Sequence, residues 1–409
     1  MSEGSDAARP DVLHRRLTLP LLVLYGVGVT VGAGIYVLIG AMAGHAGIYA
    51  PFAFLLAGVV MSFTAASYAE LSGHFPVSAG EAAYVRAAFD VRAITIAVGS
   101  LTIFIGVISA AAVSVGSAGY IRQFVDLPQV WIVLLVIAVI AAVSAWGILQ
   151  SVLFASLFTV IEVGGLIVII AAGSVSDIAW TTELPRLLVP PLDADVWTGI
   201  ALASLLGFFA FIGFEDLANV AEEAQDATRT VPLAIVITLV ISVALYLSVA
   251  AVAVLAVPID ELSASPAPLS LVFHRVTTLS PASMSAIAIV ATLNTVLVQM
   301  TMASRVIFGM ARQGDLPAWM AKVNPATGTP LPATLLVAGS VALFAVALPI
   351  TQLAEWTSLA TLFVFAWVNV ALLFLRRRQP APGQRLVVPA WVPAAGAVTC
   401  VLMLMFAFL

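Results

Sequence analysis

The chain has 409 residues, of which 62% are hydrophobic and 9% charged, with a formal net charge of −5 and a mean hydropathy of +1.13. Soluble domains carry about 25% charged residues, so this composition excludes a soluble globular fold. A single cysteine, Cys400, excludes a disulfide framework within the chain and any multi-cysteine metal site.

The apolar runs are each long enough to cross roughly 30 Å of hydrocarbon at about 1.5 Å per residue. In chain order they predict spans at 17–42, 48–72, 93–120, 130–147 and 152–173, then at 196–220, 232–257, 283–310, 331–350, 353–375 and 390–409. The expected fold is an all-α polytopic membrane protein of about eleven transmembrane helices embedded in a lipid bilayer. Residues 1–16 are polar, end in Arg15 and Arg16, and lack the short apolar region and cleavage site of a secretory signal. The stretch 174–195, with Trp180, Pro185, Pro190 and Pro191, reads as an outer loop, and 257–281 as an amphipathic surface helix whose His274 is a solvated residue rather than a ligand.

Orientation follows from the basic residues. With a cytoplasmic N-terminal tail, Arg86, Arg92, Arg229, Arg312, Lys322, Arg376, Arg377, Arg378 and Arg385 fall inside, whereas Arg122, Arg186 and Arg275 fall outside. An odd number of spans then puts Leu409 outside. The cell membrane is the expected location.

The first span carries Gly26-Val27-Gly28-Val29-Thr30-Val31-Gly32-Ala33-Gly34-Ile35-Tyr36 at its centre. Glycine costs about 1 kcal/mol relative to alanine in a helix interior, and backbone at membrane depth leaves the helical ladder only where it lines a protein cavity. A helix broken there offers free N–H groups to an anion and free C=O groups to a cation, which together match a zwitterion. The same glycines also form a GxxxG pair, Gly28 and Gly32, suited to close packing of membrane helices. The stretch alone leaves both readings open.

Span six contains Leu206-Gly207-Phe208-Phe209-Ala210-Phe211-Ile212-Gly213-Phe214, followed at once by Glu215 and Asp216. Spans one and six are five apart, as two five-helix repeats of opposite topology require. Interrupted segments at corresponding positions of two halves point to the binding site of a secondary transporter.

At this point a resemblance is plain. The Gly32-Ala33-Gly34-Ile35-Tyr36 opening, Ser67-Tyr68-Ala69-Glu70-Leu71 with Phe75-Pro76-Val77-Ser78-Ala79-Gly80, and Phe211-Ile212-Gly213-Phe214-Glu215 running into Ala221-Glu222-Glu223 and Arg229-Thr230-Val231-Pro232 are similar to the amino acid–polyamine–organocation (APC) transporter superfamily. Ala303-Ser304-Arg305, Ala311-Arg312-Gln313-Gly314-Asp315-Leu316-Pro317 and Gly328-Thr329-Pro330 extend the likeness over nearly the whole chain. Many relatives have twelve spans, and no twelfth is found. The resemblance implies a LeuT-like 5+5 inverted repeat with broken spans one and six. Its divisions would be the tail 1–16, a first repeat 17–173, an extracytoplasmic loop 174–195, a second repeat 196–375, and a basic loop with span eleven at 376–409.

By the same resemblance, the substrate lies among Thr30, Val31, Gly32, Ala33 and Gly34 of span one and Phe209, Ala210, Ile212 and Gly213 of span six. Its carboxylate would meet N–H groups around Ala33 and Gly34, and its amine the carbonyls near Thr30, Phe209 and Ile212. Phe209 stands where relatives place an aromatic gate, and Gln299 of span eight could line the side-chain pocket or tie helices together. With no charged side chain evidently aimed at this pocket, a small or apolar amino acid is the expected ligand.

Ionisable residues inside a membrane are costly and default to functional roles. Glu70, Glu222, Glu223 and Arg305 lie near cytoplasmic ends, where gate ion pairs suffice as an account. Glu215 and Asp216 read as gating or structural hydrogen-bond partners. Glu162, midway through span five, stands where proton-coupled relatives often have a lysine facing span one. A carboxylate there needs a proton or a cation, which makes Glu162 the candidate coupling residue; the alternative is a neutral, hydrogen-bonded role between helices.

The function expected is secondary active amino acid transport by alternating access, coupled to a proton, with amino acid exchange or sodium coupling as alternatives. A channel would not need two matched breaks, and a non-transporting amino acid sensor on the same fold is a further alternative. No HExxH, GxSxG or P-loop motif is present, so an enzyme is not expected. Neither a cofactor, a catalytic residue, a metal site nor a nucleic-acid partner is expected. The sequence is silent on oligomeric state.

Overall fold

A computed structural model of the protein describes residues 17–76, 80–146, 151–176, 178, 180–221, 224–277, 279–324, 329–378 and 386–406. The tail 1–16, Glu222, Glu223, Gly328 and Arg385 lie outside the described residues. Within them the chain is helical, with a lone bridge between Leu17 and Ala224 in place of any strand.

The elements are α1 (Leu19–Ala46), α2 (Ala50–His74), α3 (Gly80–Phe89), α4 (Arg92–Ile121), α5 (Gln129–Trp146), α6 (Ser151–Ser174), α7 (Trp180–Leu188), α8 (Ala194–Ala210), α9 (Asp216–Asn219) and α10 (Ala227–Ala256). They continue with α11 (Ile259–Ala264), α12 (Pro268–Val276), α13 (Pro281–Arg312), α14 (Leu331–Ala347), α15 (Ile350–Arg378) and α16 (Trp391–Phe406). Six described stretches are long and apolar enough to cross a membrane, α1 and α2 forming one of them, and α5, α8, α14 and α16 are shorter apolar helices.

Local chemistry sets several of the ends. Asp193 caps α8 by accepting from the N–H groups of Asp195 and Val196 at 2.9 and 3.1 Å, and Ser280 caps α13 through Ala282. Gly47, at φ +58°, makes the sharp turn between α1 and α2. The principal packing pairs are α4 with α13, α2 with α10, and α1 with α8 and α10. Small residues permit these approaches: a Cβ on Gly106 of α4 would already sit 3.0 Å from Ala303 of α13.

Two expectations are corrected by the fold. The first span is not broken: α1 runs continuously through the glycine-rich stretch. Its glycines serve contact instead, since a Cβ on Gly28 would collide with Thr159, one on Gly32 with Thr295 and one on Gly34 with the Ala210 backbone. The packing reading therefore accounts for them in this conformation. Secondly, 257–281 does not lie as a free surface helix. It forms α11 and α12, which pack on α1 and α13 and bury Leu262, Leu269 and Val272. His274 is exposed, as expected of a solvated residue. The stretch 174–195, expected as a loop, contains α7, an amphipathic helix with Leu187 buried.

Candidate functional site

The sixth span is interrupted where the sequence indicates. Helix α8 stops at Ala210, residues 211–215 form tight turns, and α9 resumes at Asp216. Within the break, Phe211 and Ile212 donate to the carbonyls of Phe208 and Phe209 at 3.1 Å, three residues back rather than four. Gly213 adopts φ +130°, a conformation open mainly to glycine, and its N–H donates to Glu215 Oε2 at 2.9 Å. Glu215 is thus a hydrogen-bond partner built into the break itself.

The break meets α1 backbone to backbone. A Cβ on Gly213 would lie 3.0 Å from the Val29 carbonyl carbon and 3.1 Å from the Thr30 nitrogen, while Gly34 abuts Ala210. Tyr246 of α10 ties the two together, its hydroxyl lying 2.6 Å from both the Thr30 and Ala210 carbonyl oxygens. Thr30, Val31, Gly32, Gly34, Phe209, Ala210, Ile212 and Gly213 therefore share one buried region. Ala33 lies in the same turn of α1. The Thr30 carbonyl, however, is engaged by Tyr246, and the N–H groups of Ala33 and Gly34 lie inside a continuous helix.

Glu162 faces this region from α6. It is fully buried, and neither carboxylate oxygen has a hydrogen-bond partner among the described residues. A Cβ on Gly28 would lie 3.3 Å from its Oε1 and one on Gly32 3.6 Å from its Oε2. The Tyr36 hydroxyl donates to the Glu162 backbone carbonyl at 2.6 Å, which pins α6 against α1 at this level, and Tyr120 in turn donates to the Tyr36 carbonyl. Thr295 Oγ1 and the Ala291 carbonyl of α13 also point at Gly32. Glu162 thus lies opposite Gly28 and Gly32 of a continuous α1.

A cavity opens beside the break. Ile212 and Gln299 line it together with Glu215, Asp216, Thr361 and Glu81. Glu81, on the short helix α3, receives the Tyr68 hydroxyl at 2.9 Å, and burial pushes its carboxyl above the ordinary range. Sequence reasoning missed Glu81, because α3 follows the second span and no local pattern shows that it folds back to the sixth. Of the residues expected to bind substrate, only Ile212 and Gln299 line this cavity; Phe209 is buried beside it without doing so.

An all-helical chain with long apolar spans and an interrupted helix held against a glycine-lined partner defines a polytopic membrane protein. The chain matches the amino acid permease family over residues 17–409 and belongs to that family, within the APC superfamily. It is 28% identical over 392 residues to the branched-chain amino acid permease BcaP of Bacillus subtilis, covering 90% of this chain and 82% of that one. It is 29% identical to the vacuolar cationic amino acid transporter 2 of Arabidopsis thaliana, over 90% of this chain and 61% of the plant protein. The methylthioribose transporter of Bacillus subtilis is 25% identical over 92% of this chain and 84% of its own length. The chain thus spans about three fifths of the length of the plant transporter and over four fifths of the bacterial ones.

Proposed function

We propose that the protein is a secondary active transporter that carries amino acids across the cell membrane by alternating access, with a proton held at Glu162 as the coupling ion. The interrupted sixth span, held backbone to backbone against α1, is the observation that carries this reading. Breaks of this kind supply the N–H and C=O groups that a zwitterion needs at mid-membrane. The pairing of α1 with α8, α2 with α10 and α4 with α13, each matching one span with the span five later, supports a two-repeat LeuT-like arrangement of eleven spans, and the bias of basic residues supports a cytoplasmic N-terminus. In this conformation α1 is closed, so capture of the substrate carboxylate by Ala33 and Gly34 requires local opening of α1 on binding. Release of the Tyr246 clamp would free the Thr30 carbonyl for the amine.

Glu162 supports coupling through its burial. An isolated carboxylate deep in a membrane protein needs a proton or a cation to neutralise it. A proton requires only the carboxylate. A sodium ion is the second reading, favoured by the oxygens of Thr295 and Ala291 on the same side of Gly32. Uptake of a panel of radiolabelled amino acids into proteoliposomes tests the function. Saturable uptake of at least one amino acid is expected; flux proportional to concentration would indicate a channel, and no flux a sensor.

A further inference from the structure

Helix α3 differs from the other elements that line the cavity beside the break. Those are the long helices α4, α13 and α15 and the break with α9, whereas α3 has ten residues and contributes Glu81. Its buried residues Glu81, Tyr84, Val85 and Ala88 recur at helical spacing and form one inward stripe. Arg86 stands nearly opposite that stripe, its side chain 42% exposed. Both ends of the helix lie in the left-handed backbone region, Gly80 at φ +46° and Asp90 at φ +53°. Residues at the ends of an element are those that absorb backbone rotation when it moves as a unit.

One carboxylate ties this helix to the frame around it. Asp315, just past α13, receives Arg86 of α3 at 2.8 Å and Arg92, the first residue of α4, at 3.0 Å; Arg92 also donates to the Gly314 carbonyl at 2.6 Å. The ion pairs thus reach across the Asp90 turn, and both α4 and α13 supply walls of the cavity. The Asp315 side chain is buried, but the Arg86 and Arg92 side chains stay 42% and 69% exposed, open to screening by salt. On the inward side α3 is held by the Tyr68–Glu81 hydrogen bond at 2.9 Å and by Phe89 against Trp367 and Phe374 of α15. Behind it, Asp216 Oδ2 and Thr361 Oγ1 are buried without a hydrogen-bond partner among the described residues, and both residues line the cavity. Water entering the cavity would satisfy such groups, which offsets part of the cost of opening. We propose that α3 is a lid on this cavity, latched shut by Asp315 between Arg86 and Arg92, and that the cavity opens to water on this side when the latch parts.

Cysteine accessibility tests the lid. Cys400→Ser removes the native thiol, and Met302→Cys then places a reporter on the cavity wall, with Thr102→Cys as a second. The rate of reaction with a neutral, polar maleimide would be measured on protein in lipid nanodiscs, where both faces are accessible. Adding Asp315→Asn should raise the labelling rate at least fivefold. Raising salt from about 0.01 M to about 1 M shortens the screening length from about 30 Å to about 3 Å. That change should raise labelling at least twofold while Asp315 is present and leave the Asp315→Asn protein unaffected, a difference that a merely loosened fold would not produce. Equal labelling with and without Asp315→Asn would overturn the inference, as would a rate indifferent to salt while Asp315 is present. The salt series decides the matter even if Asp315→Asn fails to fold. Labelling is read without flux, so a lid that fails this test leaves the transport reading standing, and absence of uptake leaves the lid standing.

Discussion

Glycine has opposite uses in the two spans at the centre of the molecule. Gly213 is where the chain leaves the helix, at φ +130°, and Gly34 is where α1 comes into contact with that departure at Ala210. Even one methyl group at Gly34 must displace the Ala210 backbone, so Gly34→Ala should destabilise the protein by about 1–3 kcal/mol through overpacking. Gly164, on α6, has open space where a methyl group would stand, with no neighbouring element within 4 Å among the described residues. Gly164→Ala should therefore be neutral or stabilise by up to about 1 kcal/mol. Thermal unfolding of both variants in detergent would compare them. Equal midpoints would show that the Gly34–Ala210 contact does not constrain the fold. In this conformation Ala210 fills the space beside Gly34.

At the scale of elements, one end of the bundle, where α2 and α15 finish and α3 and α4 begin, is tied by a few polar contacts between helices distant in sequence. Glu70 at the end of α2 accepts from the Arg376 guanidinium of α15 and from the Val388 N–H at 2.8 Å, and Arg376 also donates to the Val388 carbonyl. Asp315, after α13, receives Arg86 of α3 at 2.8 Å and Arg92 of α4 at 3.0 Å. Breaking a buried pair by removing one partner costs about 3–5 kcal/mol. Because the Arg376 side chain keeps 22% exposure, Glu70→Gln should fall at the lower end, about 3 kcal/mol. Chemical denaturation read by tryptophan fluorescence would measure it, and a loss under about 0.5 kcal/mol, the size of an exposed pair, would show that the tie contributes little. The sequence marks Glu70 and Arg376 only as charges near cytoplasmic ends. Their pairing depends on how α2 and α15 meet in space, which no local pattern encodes.

For the molecule as a whole, what is legible from sequence is what hydropathy and local backbone chemistry control. The long apolar runs, the interruption after Ala210 and the mid-span position of Glu162 all follow from composition and order. The state of α1 does not, because glycines that permit unwinding also permit close packing, and the neighbours Thr159, Thr295 and Ala210 decide between the two. Nor does the acidic cavity, which needs α3 to fold back beside the break. Coupled transport therefore turns on whether Glu162, buried against α1 without a partner among the described residues, links proton movement to substrate movement. Glu162→Gln keeps the shape and hydrogen-bonding capacity of the side chain but cannot ionise. The direct measurement is uptake of the best substrate into proteoliposomes, wild type beside Glu162→Gln, under an imposed acid-outside pH gradient with sodium absent. The gradient should drive accumulation by wild type, while the variant keeps binding or exchange and loses the response to the gradient. An equal response in the variant would contradict proton coupling through Glu162.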